Sequence, residues 1–390
     1  MLRLLHTADV HLGARHTDLG ERATVLRERQ FAAFHTSIEL AMSEGVDIFL
    51  VAGDLFDSNT QPRRSVERVA AEVARLTRAG IRTVIIPGTH DVYDGAAIYR
   101  AYDLASMSRS ASDWVVILTP YVPEIVFPPL DVVIYGRVFD AKRSPRSPLA
   151  GLDTRTDARA AWKIGMVHGS LLIPGKTDSD TVVFTEDEIA KSGFDYLALG
   201  HWHSAMEGRA GLTSYAYPGA PEPVALDQEG AGQVLVVTMD ESEGDHHVVV
   251  EARRVGQTTF GKFEIDVSTV KSQPELIDRI GHRSDANLVL GVRLTGMYPD
   301  ELDVDLDEVE RALAPSFLRL RVRDETIPAL PDATPAPPDT VLGAFCLEID
   351  QRLAELLGRA NDPAAEAEVA ELKEVERLGR HLLEGRQVTL

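Results

Sequence analysis

The sequence predicts an α/β protein, a sandwich of two β-sheets flanked by helices, followed by a small α/β domain and C-terminal helices. Three observations predict it. Five apolar runs each end in a short motif of Asp, His and Gly. Helical patterns separate the first three of these runs, which is an α/β layout. From Ser214 to Arg254 the β-rich runs then follow one another with no helical pattern between them, as expected for strands that complete two packed sheets.

Taken in order, Arg3–Ala8 runs into Asp9-Val10-His11. Glu21–Glu44 places Val25, Phe31, Phe34, Ile38 and Ala41 near a 3.6-residue period, and Gly45 ends that helix. Val46–Ala52 is apolar throughout and reads as a strand covered on both faces. Gly53 then turns the chain, so that Asp54 emerges at the carboxyl end of the strand, with Asp57 three residues on. A second helix starts near Pro62, a residue suited to a first turn. It carries Val66, Val69, Val73 and Leu76 on one face and stops at Gly80. Ile81–Pro87 is the third strand and leads into Gly88-Thr89-His90-Asp91.

Beyond it, Ile98–Met107 reads as a short helix, and Trp114–Leu118 and Val132–Tyr135 as strands. Ala141–Arg159 is basic, rich in Pro and Ser, and reads as a surface loop. Lys163–Val167 is a strand running into His168-Gly169. Thr185-Glu186-Asp187-Glu188 has the form of a capping box and opens the helix before Tyr196–Leu199, which ends in Gly200-His201-Trp202-His203. Ser214–Tyr217, Gln233–Met239 and His247–Arg254 are the β-rich runs that follow.

Residues 1–257 thus form a first domain carrying all five motifs. Residues 258–327 read as a compact βαβαβ unit, with strands Phe260–Val267, Leu288–Leu294 and Phe317–Val322 and helices Gln273–Ile280 and Leu306–Leu313. Residues 328–340 are a linker, stiffened by the prolines between Pro331 and Pro338. Residues 341–390 form a pair of amphipathic helices joined by a turn at Gly358–Pro363. One is striped by Leu342, Phe345, Ile349, Leu353 and Leu356, the other by Leu372, Val375, Leu378 and Leu382.

At 390 residues, 44% hydrophobic, the chain can bury a sizeable core. No apolar run is long enough to span a membrane, and the N-terminus lacks the layout of a signal peptide. The single cysteine, Cys346, excludes an internal disulfide framework and fits a reducing cytoplasm. A net charge of −21 argues against a broad basic DNA-binding surface, while leaving room for a local basic groove or a basic partner.

The motifs point to metal chemistry. In extended chain, residues i and i+2 point the same way, so Asp9 with His11, and His201 with His203, each aim two ligands at one place. Imidazole with carboxylate suits manganese, iron or zinc. A buried Asp54 needs a cation beside it. Two other features carry no function. Asp303-Val304-Asp305-Leu306-Asp307 lacks the glycine and glutamate of a calcium loop and reads as the acidic first turn of a helix. Trp202 points away from its flanking histidines and reads as core. The chain has no phosphate-loop motif.

As a set, these motifs resemble the calcineurin-like metallophosphoesterases, and within them the DNA-repair nucleases of the SbcD and YhaO type. The resemblance spans Asp9 to His203 and extends more loosely to the small domain and the C-terminal helices. It implies that residues 1–257 are a catalytic domain of the metallophosphoesterase fold and that the small domain caps it. It also implies a two-metal site, usually manganese, in which an activated hydroxide hydrolyses a phosphodiester. Carried onto this chain, Asp9, His11 and His203 would hold one metal. Asp54 would bridge both, and His168 and His201 would hold the second. His90 would be the acid beside the leaving oxygen, and Asp57 the group that orients it. The family has asparagine where this chain has Thr89. A hydroxyl is a weaker ligand and shorter in reach, so the second ion is expected to bind more loosely.

The resemblance implies DNA as substrate, in repair or defence, and an SbcC-like coiled-coil ATPase as partner, docked by the C-terminal helices. It also admits a homodimer. Packing of those helices on each other or on the first domain is the competing expectation. Two further readings stay open: a phosphoesterase for nucleotides or small phosphoesters, and a scaffold subunit whose catalysis Thr89 has weakened.

Overall fold

The structure, a computed structural model, describes residues 1–16, 23–144, 146–175, 177, 182–223, 228, 230–296, 298, 302, 304–326, 336–357 and 363–383. Residues 1–259 form one compact unit and residues 260–390 a second.

The first sheet of unit 1 is built on β1 (Leu2–Thr7), β2 (Ile48–Ala52), β3 (Arg82–Ile86) and β4 (Val115–Ile117), all parallel. Helices α1 (Ala23–Glu44) and α2 (Arg63–Arg78) make the first two crossovers. Alternation along these strands sorts their side chains. Leu5, Phe49, Val51 and Ile85 pack beneath the helices with Phe34, Ile38, Val69 and Leu76. Leu4, Ile48, Leu50, Ala52, Val84 and Ile86 face the other way, into the sandwich. That double burial explains the unbroken apolar run before Asp54. Two later strands, β13 (Gln233–Ser242) and β14 (Asp245–Arg254), add antiparallel next to β1, giving the order β14-β13-β1-β2-β3-β4.

Between β3 and β4 the expected helix over 98–107 is two single turns, α3 (Ile98–Ala101) and α4 (Leu104–Met107). Tyr102 is extended, and the Asp103 carboxylate accepts from the Ser106 N–H, so a new helix starts there.

The second sheet has the order β11-β12-β10-β7-β6-β5. Its members are β5 (Glu124–Phe127), β6 (Val132–Arg137), β7 (Trp162–His168), β10 (Tyr196–Gly200), β11 (Met206–Ala210) and β12 (Thr213–Tyr217). The inner strands are parallel and the two edges antiparallel. Ile164, Met166, Tyr196 and Ala198 enter the sandwich. Val167, Leu197 and Leu199 pack outward with Ile189 of α5 (Glu186–Ser192). The capping box forms as expected: Glu188 N–H donates to the Thr185 hydroxyl (3.2 Å), and Thr185 N–H donates to the Glu188 carboxylate (2.9 Å). The short pair β8 (Ser170–Leu171) and β9 (Val183–Phe184) stands apart. Sequence patterning marks no strand at β5, β8, β9 or β11. They are short, and β11 is a half-exposed edge with Gly208 at its centre.

Unit 2 has its own three-stranded sheet, in the order β15-β16-β17, from β15 (Thr259–Asp266), β16 (Asp285–Thr295) and β17 (Phe317–Asp324). Helices α6 (Gln273–Gly281) and α7 (Leu306–Leu313) contribute Leu276, Ile280, Val309 and Leu313 to its core. The acidic run ahead of α7 does what a helix start requires, with the Asp305 carboxylate capping the Glu308 N–H. Most of the proline linker, residues 331–335, lies outside the described residues, as do 358–362 of the expected turn. Helices α8 (Val341–Leu357) and α9 (Pro363–Leu383) pack together, and the bare Cα of Gly379 admits the ring of Phe345. Cys346, Ile349 and Leu356 are buried, whereas Val375 and Leu382 remain exposed. The Leu378 side chain lies outside the described residues. Among the described residues, no helix is long and apolar enough to cross a membrane.

Candidate metal centre

The carboxyl ends of β1, β2 and β3 meet those of β7 and β10 at one edge of the sandwich, and the five motifs leave the strands there. The loops after β1 and β2 run side by side. Asp9 N–H donates to the Gly53 carbonyl (3.1 Å), and His11 N–H to that of Asp54 (3.0 Å). Four non-glycine residues in these motifs hold left-handed backbone: Asp9 (φ 53°), His11 (φ 50°), Asp54 (φ 51°) and His201 (φ 103°). Non-glycine residues adopt this region at a cost and keep it only where surrounding contacts enforce it, which is a common feature of functional sites.

Asp54 is the hub, with 2% of its surface exposed. Its Oδ1 accepts the His90 N–H (2.7 Å), and its Oδ2 lies 3.4 Å from the Thr89 hydroxyl, 3.1 Å from His168 Nε2 and 3.8 Å from His11 Nε2. Burial alone would push the Asp54 carboxyl up. The charge of His168, with those of His11 and His90 behind it, holds it well below the usual carboxylate range.

His168 is fixed by its other nitrogen. A carbonyl can only accept, so Nδ1–H donates to Ala52 O (2.9 Å) and Nε2 turns toward Asp54. That Nε2 is buried and, despite its nearness to Asp54, has no partner of hydrogen-bond geometry among the described residues. Burial pushes the His168 imidazole down, but the Asp54 carboxylate outweighs burial and lifts it to about 10. A positive charge is therefore favoured at this position, and a proton and a metal ion are alternatives for one lone pair.

A second group forms around Asp9, also buried, with His11 and His203. His11 Nε2 and His203 Nε2 face each other at 3.0 Å, and His203 Nε2 is 3.9 Å from Asp9 Oδ1. Burial keeps His203 below its ordinary range. The Gln228 amide lies 2.7 Å from His203 Nδ1, so His203 too is oriented from behind. A third group joins His11 and His90 to Asp57. The three groups share members: Asp9, Asp54 and His168 make one, and Asp9 and His11 recur in the others. Buried carboxylates, imidazoles locked by their far nitrogens, and an orphaned Nε2 form a donor set that fits divalent cations.

Of the residues singled out from sequence, Asp9, His11, Asp54, Asp57, His90, His168 and His203 fall in these groups, and His201 falls outside them. Its main-chain N–H donates to both Asp9 oxygens (3.1 and 3.0 Å), and its ring stands edge-on to His168. Thr89 sits against Asp54. The Asp57 carboxylate lies nearer His11 Nδ1 (3.4 Å) than His90 Nδ1 (3.8 Å), and His90 Nδ1–H instead donates to the Asp57 carbonyl (3.0 Å). Trp202 stacks on Tyr217 and packs against the outer core, as expected.

Sequence reasoning assigned no role to Asp91. It is fully buried and accepts from Gly88 N–H (2.7 Å), Phe56 N–H (3.2 Å) and Tyr99 Oη–H (2.6 Å), tying the His90 loop to the Asp57 loop. Its place within the third motif was the available signal. Gln228 lies in no motif and left none.

The site and fold together define a phosphoesterase of the divalent-metal class. The chain belongs to the calcineurin-like phosphoesterase family, which matches residues 2–205. It is similar to the uncharacterized metallophosphoesterase YhaO of Bacillus subtilis, 29% identical over 72% of this chain and 66% of that protein. It is also similar to the DNA double-strand break repair protein Mre11 of Aeropyrum pernix, 29% identical over 74% of this chain and 69% of the relative. The D component of the SbcCD nuclease of Escherichia coli is 25% identical, over 60% of this chain and 64% of its own length. The chain thus spans about two thirds of these relatives.

Gly88 gives a direct test of the geometry. A Cβ there would lie 2.3 Å from Asp54 Oδ1 and 2.6 Å from its main-chain nitrogen, so Asp54 must move. Gly88→Ala is expected to weaken divalent-metal affinity roughly 10- to 100-fold, the usual range for disturbing a ligand's support, as read by calorimetry. Unchanged affinity would show that Asp54 does not ligate.

Proposed function

We propose that this chain is a manganese-dependent DNA nuclease. The observation that carries the reading is the sharing of ligands: Asp9 and His11 recur among three groups whose donor atoms lie within 4.8 Å of one another, an arrangement suited to two adjacent ions. In this reading Asp9, His11 and His203 would hold one ion, and His168, His201 and Thr89 the second, with Asp54 between them. When bound, the ions supply positive charge at the phosphodiester oxygens and lower the pKa of water. The chain's own residues do the rest. His90 is half exposed, with Nδ1–H anchored on the Asp57 carbonyl, which leaves Nε2 to deliver a proton to the leaving oxygen. Asp57 steadies His11, and Asp91 holds the His90 loop against the Asp57 loop.

The names of the Mre11 and SbcCD relatives support DNA as substrate. The SbcCD name, that of a nuclease with more than one subunit, supports a companion subunit, which in this reading is a coiled-coil ATPase of the SbcC kind. The net charge of −21 fits a subunit whose partner brings much of the DNA-binding surface. The exposed Val375 and Leu382 on α9 are available for that docking.

Purified protein with manganese and labelled single- and double-stranded oligonucleotides, beside a chromogenic phosphodiester, tests the reading. Shortened DNA is expected, with His90→Ala losing about 10²- to 10⁴-fold in turnover while retaining manganese. Hydrolysis of the chromogenic diester with both DNAs untouched would contradict it.

Thr89→Asn extends an amide oxygen beyond the reach of the hydroxyl. It is expected to lower the manganese concentration for half-maximal activity severalfold; an identical metal dependence would remove Thr89 from the ligand set.

A further inference from the structure

Beyond the metal centre, the same edge of the first sheet carries a second cluster. Leu118 N–H donates to the Ile85 carbonyl (2.9 Å), so the chain leaving β4 emerges beside the chain leaving β3. The two exits bring Tyr121 and Tyr93 together. Their rings stand edge to face with centroids 6.3 Å apart. The Arg100 guanidinium sits 4.6 Å from the Tyr93 ring centre and 5.7 Å from that of Tyr121. Arg100 has no carboxylate partner among the described residues. Tyr93 is three residues from His90, so their Cα atoms are at most about 11 Å apart along the chain.

Tyr121 is 71% exposed, so its ring is open to a ligand. It is not loosely held. Thr119 and Val122 exchange main-chain hydrogen bonds (3.0 and 3.1 Å), and the Thr119 hydroxyl accepts the Tyr121 and Val122 N–H groups (3.3 and 3.1 Å). Prolines 120 and 123 flank the turn. Tyr93 is anchored in turn by Asn59, whose amide donates to the Val92 carbonyl (2.9 Å). A rigid turn thus presents a flat ring outward, with a second ring and an uncompensated cation beside it, next to a site for phosphodiesters. Aromatic rings with an arginine are what unpaired bases stack on, and such stacking tolerates any sequence.

We propose that Tyr121, Tyr93 and Arg100 form a stacking shelf for an unpaired nucleobase of the strand being cut. The proposal rests on the nuclease reading and adds to it a requirement for a base near the scissile phosphate. Tyr121 is the stacking ring. Tyr93 and Arg100 position it, and Arg100 adds charge for the adjoining phosphate.

The test compares kcat/KM, with manganese, for two single-stranded oligonucleotides of one length, one with natural bases and one abasic around the cleavage position. Wild-type protein is expected to prefer the natural strand roughly tenfold, the size of one stacking contact, chiefly through KM. Tyr121→Ala should bring that ratio near one, and Tyr121→Trp should restore it. Equal rates on the two wild-type reactions, an unchanged ratio in Tyr121→Ala, or a Tyr121→Trp variant that behaves like alanine would each overturn the shelf while leaving the nuclease reading intact. Wild-type protein that cuts neither strand yet hydrolyses a chromogenic phosphodiester would overturn both.

Discussion

One buried carboxylate organises the catalytic edge of this protein. Asp54 is nearly inaccessible, and an isolated charge so placed would be costly. The chain surrounds it with donors from three different strand ends: the His168 ring, the His11 ring, the His90 N–H and the Thr89 hydroxyl. None of these reaches it unless β1, β2, β3 and β7 end at one level. The parallel registers of the two sheets secure that level, and the glycines at 53 and 88 allow the approach. A Cβ at Gly53 would lie 2.2 Å from His168 Nδ1. The left-handed backbone at Asp9, His11 and Asp54 is a further cost met by this packing.

Much of this was legible in the sequence, because the chemistry sits where strands stop. An apolar run followed by Gly and Asp, or by Gly and His, marks a strand and puts its motif at the strand's end; the direction of each ligand was not fixed, since Asp9, His11 and His201 leave extended backbone and His201 falls outside the ligand groups. The sandwich followed from the same runs, since a strand apolar on both faces must be covered on both. Contacts between loops were less legible. That His201 serves Asp9 through its main chain, or that the Asp57 carboxylate lies closer to His11 than to His90, depends on how separate loops meet. Asp91 was visible as a letter of a motif, but its three hydrogen bonds join residues 56, 88 and 99 and could not be inferred from spacing. The edge strands failed for another reason: with one face exposed and few residues each, they carry little hydrophobic signal.

The remainder of the chain is built on different terms. Unit 2 packs a small sheet against α6 and α7 and contributes no residue to the metal-ligand groups found among the described residues. Helices α8 and α9 satisfy part of their apolar stripes on each other, as the Phe345–Gly379 contact shows, yet leave Val375 and Leu382 in solvent. Neither expectation for these helices, mutual packing or docking, excludes the other. Within unit 1, the Tyr121 turn likewise leaves an apolar ring in solvent, on a backbone held by the Thr119 and Val122 hydrogen bonds.

Asp54 is proposed to link two metal positions. Electron paramagnetic resonance of the wild-type protein titrated with manganese addresses it most directly, because two ions that share a ligand are magnetically coupled. A coupled two-manganese signal is predicted at saturation, and it should disappear in Asp54→Asn. A single uncoupled ion in the wild-type protein, or a coupled pair that survives the substitution, would contradict the claim.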